Sequence, residues 1–142
     1  MYELEICEGE ERDRLLRLAL NKFNIIYKKE YGEEIDFDRY KKEVAKNTLM
    51  VRLKGEDTFI GLDLDNNIPM WVKVCSLFSF KPGLGIKIFS IVSEKCENLG
   101  GYGIYGILHR SEHKFIKFLS RKGYVLSGNK WVIIAFKEFV NA

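Results

Sequence analysis

Met70–Phe80, MWVKVCSLFSF, runs into Lys81-Pro82-Gly83-Leu84-Gly85 and from there into Ile86–Leu99, IKIFSIVSEKCENL. The first segment carries one charge, Lys73, and is rich in β-branched and aromatic side chains, as a largely buried strand is. The last segment changes period. Ile88, Ile91, Val92, Lys95, Cys96 and Leu99 fall at helical spacing, and Gly100-Gly101 stops the run. Between the two, a pair of glycines flanks Leu84. A glycine joint between a buried strand and a helix start can present a cluster of backbone N–H groups to an anion such as a phosphate. The same joint also serves a chain that only has to bend tightly, and the loop by itself admits both readings.

Upstream, Thr48–Leu53 and Thr58–Leu64 read as a hairpin turned by Lys54-Gly55-Glu56-Asp57, with Gly55 suited to positive φ. Asp65-Asn66-Asn67 makes a second turn, and Pro69 precedes the long strand, where its missing N–H does little harm. Two turns between three strands describe an antiparallel meander ending in Met70–Phe80. Before it, Tyr2–Cys7 alternates like a strand with one wet face. A helix is expected over Glu10–Lys29, with Leu15, Leu18, Ala19, Lys22, Phe23 and Ile26 as its apolar stripe and charges ordered to suit its dipole. Gly32 ends it, and Asp36 caps a shorter helix over Phe37–Ala45.

Downstream, Ile104–Leu108 is a strand with Gly106 inside it, a sign of a bulge or a close backbone approach. Ser111 is placed to cap a helix that runs to Lys122, with Phe115, Phe118 and Leu119 on its apolar side and Gly123 as its stop. Tyr124–Ser127 and Lys130–Phe136 close the chain as a hairpin around Ser127-Gly128-Asn129. The second of these strands is apolar on both faces and so belongs in a sheet interior. The tail, Lys137–Ala142, is expected to fray.

At 142 residues the chain suits a single domain spanning 1–142, and its 46% apolar and 30% charged content is that of an ordinary globular protein. No apolar run is long enough for a membrane span. The first residues, MYELEICEGEERDR, are acidic and lack the basic and apolar regions of a signal peptide. Cys7, Cys75 and Cys96 are odd in number and form no metal-ligand spacing, which suits a reduced, cytoplasmic setting. Charge is unevenly spread. Residues 1–80 carry 13 basic and 16 acidic side chains, residues 81–142 carry 10 and 4. The basic second half would suit a phosphorylated cofactor or a nucleic acid, and equally a plain solvated face.

Gly83 and Gly85, the order of elements around them, and Phe118–Tyr124 at the end of the last helix together resemble the GCN5-related N-acetyltransferase (GNAT) superfamily. The resemblance implies an α/β fold, a mixed and largely antiparallel sheet with helices on both faces. It implies acetyl-CoA as cofactor and transfer of its acetyl group, by direct attack, to an amine-bearing small molecule or peptide. The pyrophosphate would lie on the amides of Gly83, Leu84, Gly85 and Ile86, with Lys81 and Lys87 adding charge. The pantetheine arm would run beside the main chain of Leu77, Phe78 and Ser79, filling a gap between the fourth and fifth strands. The first two helices would wall the acceptor groove and bring Glu30, Tyr31, Glu33 and Glu34 near it. Two departures stand out. Phe80 takes the place of the family's Gln or Arg, and Leu119, four residues before Gly123, takes the place of its acidic tyrosine.

His109 follows directly on the apolar run Ile104–Leu108, and an imidazole titrates near neutrality, so it is the candidate base, ahead of His113. With Leu119 unable to protonate a thiolate, Tyr124, Tyr105 or solvent remains for the acid. Strict alternation would put Lys73, Cys75, Leu77 and Ser79 on one face of the long strand and Val72, Val74, Ser76, Phe78 and Phe80 on the other. No nucleophile constellation argues for a covalent intermediate. The same departures leave open a catalytically silent copy of the fold, a structural or nucleic-acid-associated module of the kind viruses also encode.

Overall fold

A computed structural model describes residues 2–65, 70–109, 112–128 and 132–139. The elements in chain order are β1 (Leu4–Ile6), α1 (Gly9–Tyr31), α2 (Phe37–Arg39) continuing as a π-helical turn (Tyr40–Val44), β2 (Leu49–Leu53), β3 (Phe59–Asp63), β4 (Trp71–Phe78), α3 (Leu84–Asn98), β5 (Gly103–His109), α4 (His113–Arg121), β6 (Val125–Gly128) and β7 (Val132–Glu138). All strands join one sheet in the order β1-β2-β3-β4-β5-β7-β6. Every neighbouring pair is antiparallel except β4 and β5, which the α3 crossover makes parallel. This is the mixed α/β sheet with helices on both faces that the sequence implies. Among the described residues no helix is long and apolar enough to cross a membrane.

Each face carries its own core. On one, Leu15, Leu16, Ala19 and Leu20 of α1 pack with Tyr40, Met50, Phe59 and Phe78. On the other, Ile88, Phe89 and Val92 of α3 and Leu119 of α4 pack with Val51, Ile60, Leu62, Ile104 and Ala135. Each fully buried side chain of this size contributes roughly 1.5–3 kcal/mol, so the sheet is fixed from both sides. The caps and turns expected at Asp36, Gly32 and Gly55 are present, whereas the N-cap position of α4 is Glu112, with no side-chain cap bond. The Asp36 side chain accepts from the Arg39 amide at 2.8 Å, Gly32 ends α1 at φ 73°, and Gly55 turns the β2–β3 hairpin at φ 80°.

Several boundaries and faces differ from the sequence reading. The α1 contact adds Leu16 and Leu20 to Leu15 and Ala19, with Leu18 and Phe23 packed at its margin, while Lys22 is exposed and Ile26 is not part of this core. A helix with two adjacent apolar stripes does not reveal by period which one the sheet takes. Residues 40–44 wind as a π turn, closed by the Ala45 amide on the Tyr40 carbonyl at 2.8 Å, not as a plain continuation of the short helix. The α3 helix starts at Leu84, so Gly85 lies in its first turn, and Phe89 is buried where Leu99 is 87% exposed. The tail does not fray at Lys137. β7 runs to Glu138, and Phe139 is buried with its amide on the Tyr102 carbonyl. Pro69, Asn66, Asn67, Ser111, Asn129 and Lys130, to which turns, a cap and a strand start were assigned, lie outside the described residues.

The most consequential difference is in β4. Gly61 of β3 pairs with Ser76 and Leu62 pairs with Val74, so Cys75 is an extra residue and β4 bulges there. Strict alternation therefore fails. Val72, Val74 and Leu77 share the α3-side core, and Phe78 turns to the α1 side. The two faces assigned by parity hold only up to Val74.

Gly103 at the base of β5 has a packing requirement. A Cβ there would lie 2.5 Å from the Trp71 ring and 2.7 Å from the Lys137 carbonyl oxygen. Gly103→Ala is expected to cost ~1–3 kcal/mol by overpacking, read as a lower urea midpoint with an unchanged slope.

Candidate functional site

Pairing between β4 and β5 runs from Trp71 with Gly103 to Val74 with Gly106 and then ends. Both strands continue, β4 to Phe78 and β5 to His109, each held by its outer neighbour, β3 or β7. The bulge at Cys75 falls immediately past the last pair, where the added residue bends β4 away from its partner. Gly106 sits at the apex, where a Cβ would approach the Val74 carbonyl oxygen at 3.3 Å and its Cβ at 3.4 Å. The result is a fork whose two arms turn main-chain groups toward a gap instead of toward each other. Backbone polar groups left this way require a partner, and an extended amide-bearing chain supplies one.

The β4 arm leads into the start of α3. Gly83 is the helix N-cap at φ 85°, a conformation that strains any residue with a Cβ. The first-turn amides of a helix have no intrahelical partner. A Cβ at Gly85 would meet only the Ser79 Cβ at 3.7 Å, so the absence of a side chain there leaves room beside the first turn. Ser79 knots the turn. Its hydroxyl bonds Thr58 Oγ1 at 2.9 Å, gives to the Lys81 carbonyl at 2.9 Å and takes from the Lys81 amide at 3.2 Å. The side chains of Leu77 and Phe78 are core, so only their main chain can face the gap.

The two lysines are placed less favourably for phosphates. Lys81 Nζ is paired with Glu56 of the β2–β3 turn at 2.9 Å, and Lys87 Nζ lies 6.0 Å over the Tyr2 ring. Phe80, where a polar residue would serve a phosphate, is exposed and stands edge-on to Phe78.

On the opposite face α1 spans both arms. Lys22 Nζ lies 5.9 Å over the Phe78 ring at the tip of the β4 arm. Two turns later Glu30 Oε1 is bonded to His109 Nε2 at the tip of the β5 arm, with both side chains largely buried. Glu33 and Glu34, expected near the same groove, are instead engaged by Arg39 at 3.9 Å and Lys28 at 3.8 Å. Sequence reading put Glu30 near the groove without finding its partner. The only signal is its spacing of eight residues from Lys22 on one helix row.

Tyr105 lies on the same face of β5 as His109, paired with Lys73 of β4 and edge-on to Trp71 at a centroid distance of 6.3 Å. Burial, and then the charges of Asp63 and Cys75, raise its hydroxyl, so it keeps its proton at neutral pH. Tyr124 is elsewhere. Its ring packs on Phe89 in the α3-side core, its hydroxyl bonds Ser93, and burial holds it far above the ordinary phenol range. The fork therefore brings His109 and Tyr105 onto one face and leaves Tyr124 on the other.

Ser76 and Asn47 meet over Gly61, where a Cβ would collide with both side chains at 2.3 Å. Ser76 Oγ donates to Asn47 Oδ1 at 3.4 Å, and Asn47 Nδ2 is buried without a partner among the described residues. All three thiols are raised by burial, Cys7 to about 11, with Cys75 and Cys96 also above their ordinary value. None is primed as a thiolate nucleophile.

A sheet with one parallel pair, a bulge at the apex of that pair, and a glycine-capped helix leading out of the bulged arm is a specific combination. The chain has the GNAT fold. An acetyltransferase of Bacillus subtilis in complex with CoA superposes with a TM-score of 0.67 at 14% identity, over 99% of this chain and 100% of that one. A ribosomal-protein-alanine N-acetyltransferase from Escherichia coli gives 0.67 at 12% identity, over 100% and 96%. An acetyltransferase of the GNAT family from Staphylococcus aureus gives 0.62 at 15% identity, over 96% and 99%. No protein-family model and no curated protein matches the sequence. At these identities the likeness is one of GNAT architecture, and the chemistry has to be argued from this chain's own residues.

Leu119 tests how far the departure from the GNAT tyrosine is built into the core. It is 1% exposed and packs with Ile88, Phe89 and Ile104, pointing at the sheet. Leu119→Tyr is expected to destabilise the protein by ~1–3 kcal/mol, since the hydroxyl and added volume enter a filled core. A denaturation curve reads this, and an unchanged midpoint would mean the site has room for a phenol.

Proposed function

We propose that the protein is an acetyl-CoA-dependent N-acyltransferase that acetylates an amine by direct attack. The observation that carries this reading is the fork, where β4 and β5 stop pairing after Val74 and Gly106 and turn main-chain groups to a gap. The residues present fit the cofactor in two places. The main chain of Leu77, Phe78 and Ser79 offers amide partners along the β4 arm, and the amides of Gly83, Gly85 and Ile86 offer an anion site with open space at Gly85, whereas the Leu84 amide, expected to join them, donates to the Lys81 carbonyl at 3.3 Å. They fit it less well at the loop lysines, because Glu56 already neutralises Lys81. Phosphate binding here rests on backbone donors, with little help from side-chain charge.

When bound, acetyl-CoA supplies an acyl group already activated as a thioester. The chain's own residues then have three tasks. His109 takes a proton from the amine, and Glu30, bonded to Nε2, fixes the ring's orientation. Tyr105, protonated at neutral pH, holds a proton for the departing sulfur. Burial raises the Cys75 thiol beside the fork, so it is not primed as a thiolate, which favours direct attack over an acyl-enzyme.

Calorimetric titration of the full chain with acetyl-CoA is expected to give one-site binding. Gly85→Val should weaken it about tenfold or more with little loss of stability, because the added side chain enters the space beside the helix amides. His109→Gln should keep the affinity but lower kcat by ~10²–10⁴-fold and remove the acidic limb of the kcat/KM profile. No heat with acetyl-CoA and no thiol release over a broad amine panel would replace this reading with a catalytically silent GNAT fold.

A further inference from the structure

On β5, positions 105, 107 and 109 share one face, so Ile107 stands between Tyr105 and His109. Ile107 is 55% exposed. It is paired across to Ile134, 44% exposed, and Tyr105 is paired across to Phe136, 36% exposed. Among the described residues no helix covers this part of the α1-side face, and the apolar surface continues directly from the fork. Charges of both signs edge it: Glu138 follows Phe136 on the same face of β7, Asp63 and Lys73 lie in the row of Tyr105, and Glu30 is bonded to His109.

Resting on the reading of the fork as an acyl-transfer site, we propose that the acceptor is a primary amine carried on an apolar body, aromatic or branched aliphatic in size. An amine delivered between His109 and Tyr105 must lie on Ile107. Its body then extends over Ile134 and Phe136, away from the gap. Water is displaced from three apolar side chains at once, which favours an apolar substituent and offers nothing to a hydroxylated one. A hydroxylated or aminosugar body would leave its polar groups unmatched on the Ile107, Ile134 and Phe136 platform. The occupant is set by continuity. The same strand face carries the proposed base, the apolar platform and the proposed acid at successive alternate positions.

The test compares kcat/KM for phenethylamine and isoamylamine with ethanolamine and spermidine, by thiol release from saturating acetyl-CoA. Direct binding of phenethylamine to CoA-loaded protein is measured by calorimetry. The apolar amines should be preferred by about tenfold or more, the range that apolar contacts of this size confer. Ile107→Asn and Ile134→Asn should each remove most of that preference through KM while leaving CoA affinity unchanged. Leu99→Asn, at an exposed apolar site on the far end of α3, should change neither. If CoA binds but ethanolamine or spermidine is used as well as phenethylamine, the proposal is wrong. It is equally wrong if Ile107→Asn keeps the preference, if phenethylamine gives no heat with the CoA-loaded protein, or if sedimentation shows the face closed in a dimer that Ile134→Asn dissociates. Absence of CoA binding would instead overturn the acyl-transfer reading itself, and this inference with it.

Discussion

A parallel strand pair cannot stay in register once one strand gains a residue that the other lacks. β4 gains that residue at Cys75 because its antiparallel partner β3 steps from Gly61 to Leu62 while β4 steps from Ser76 to Val74. Up to Val74 both neighbours of β4 are satisfied. Beyond it β3 keeps the strand and β5 does not. Gly61 makes the arrangement possible, since the Ser76 and Asn47 side chains occupy the volume its own side chain would need. The α3 crossover then starts from the end of the bent arm, and its first-turn amides open at the end of the same gap. One inserted residue thus sets the place of the gap, the point from which α3 starts and the faces of every later β4 side chain.

The α1 helix depends on this geometry and in turn holds it. Its Leu15, Leu16, Ala19 and Leu20 column packs on β2 and β3, which leaves the Lys22 and Glu30 row over the two arms. A short cluster at its start, in which Arg14 bonds Glu11 at 2.6 Å and Asp57 at 2.7 Å, ties it to the β2–β3 turn. Exposed pairs of this sort contribute little singly. The helix is held mainly by its buried column, and the tip of the β5 arm is tied to it by His109 and Glu30. Few polar side chains line the fork, and most of its donors are main chain, which suits the proposed transfer, a reaction helped mainly by positioning.

Much of this was legible in the sequence. The change of period from Met70–Phe80 to Ile86–Leu99 identified the strand and helix on either side of the glycines. The turns at Gly55, Gly32 and Gly123 each need a left-handed residue, and a glycine marks each. His109 could be picked out because it ends an apolar run. The bulge could not be read, since Val72-Lys73-Val74-Cys75-Ser76-Leu77 alternates well enough under either parity and only the β3 register decides. The Glu30 contact joins residues 79 apart in the chain, and nothing local to either announces it. The engagement of Lys81 by Glu56 was hidden for the same reason, and it takes up the charge that the sequence reading had offered to a phosphate. Tyr124 and Tyr105 looked equivalent in sequence, and only the two sides of the sheet separate them.

The central claim is that the gap between the two arms is a binding site for an extended amide-bearing cofactor. Amide hydrogen exchange on the full chain, with and without coenzyme A, tests it most directly. Protection should rise within Cys75–Phe78 and at Gly85 and Ile86, while Val72 and Val74, already inside the paired part of the sheet, should change little. Unchanged exchange along Cys75–Phe78 at saturating coenzyme A, or protection confined to other surfaces, would contradict the account.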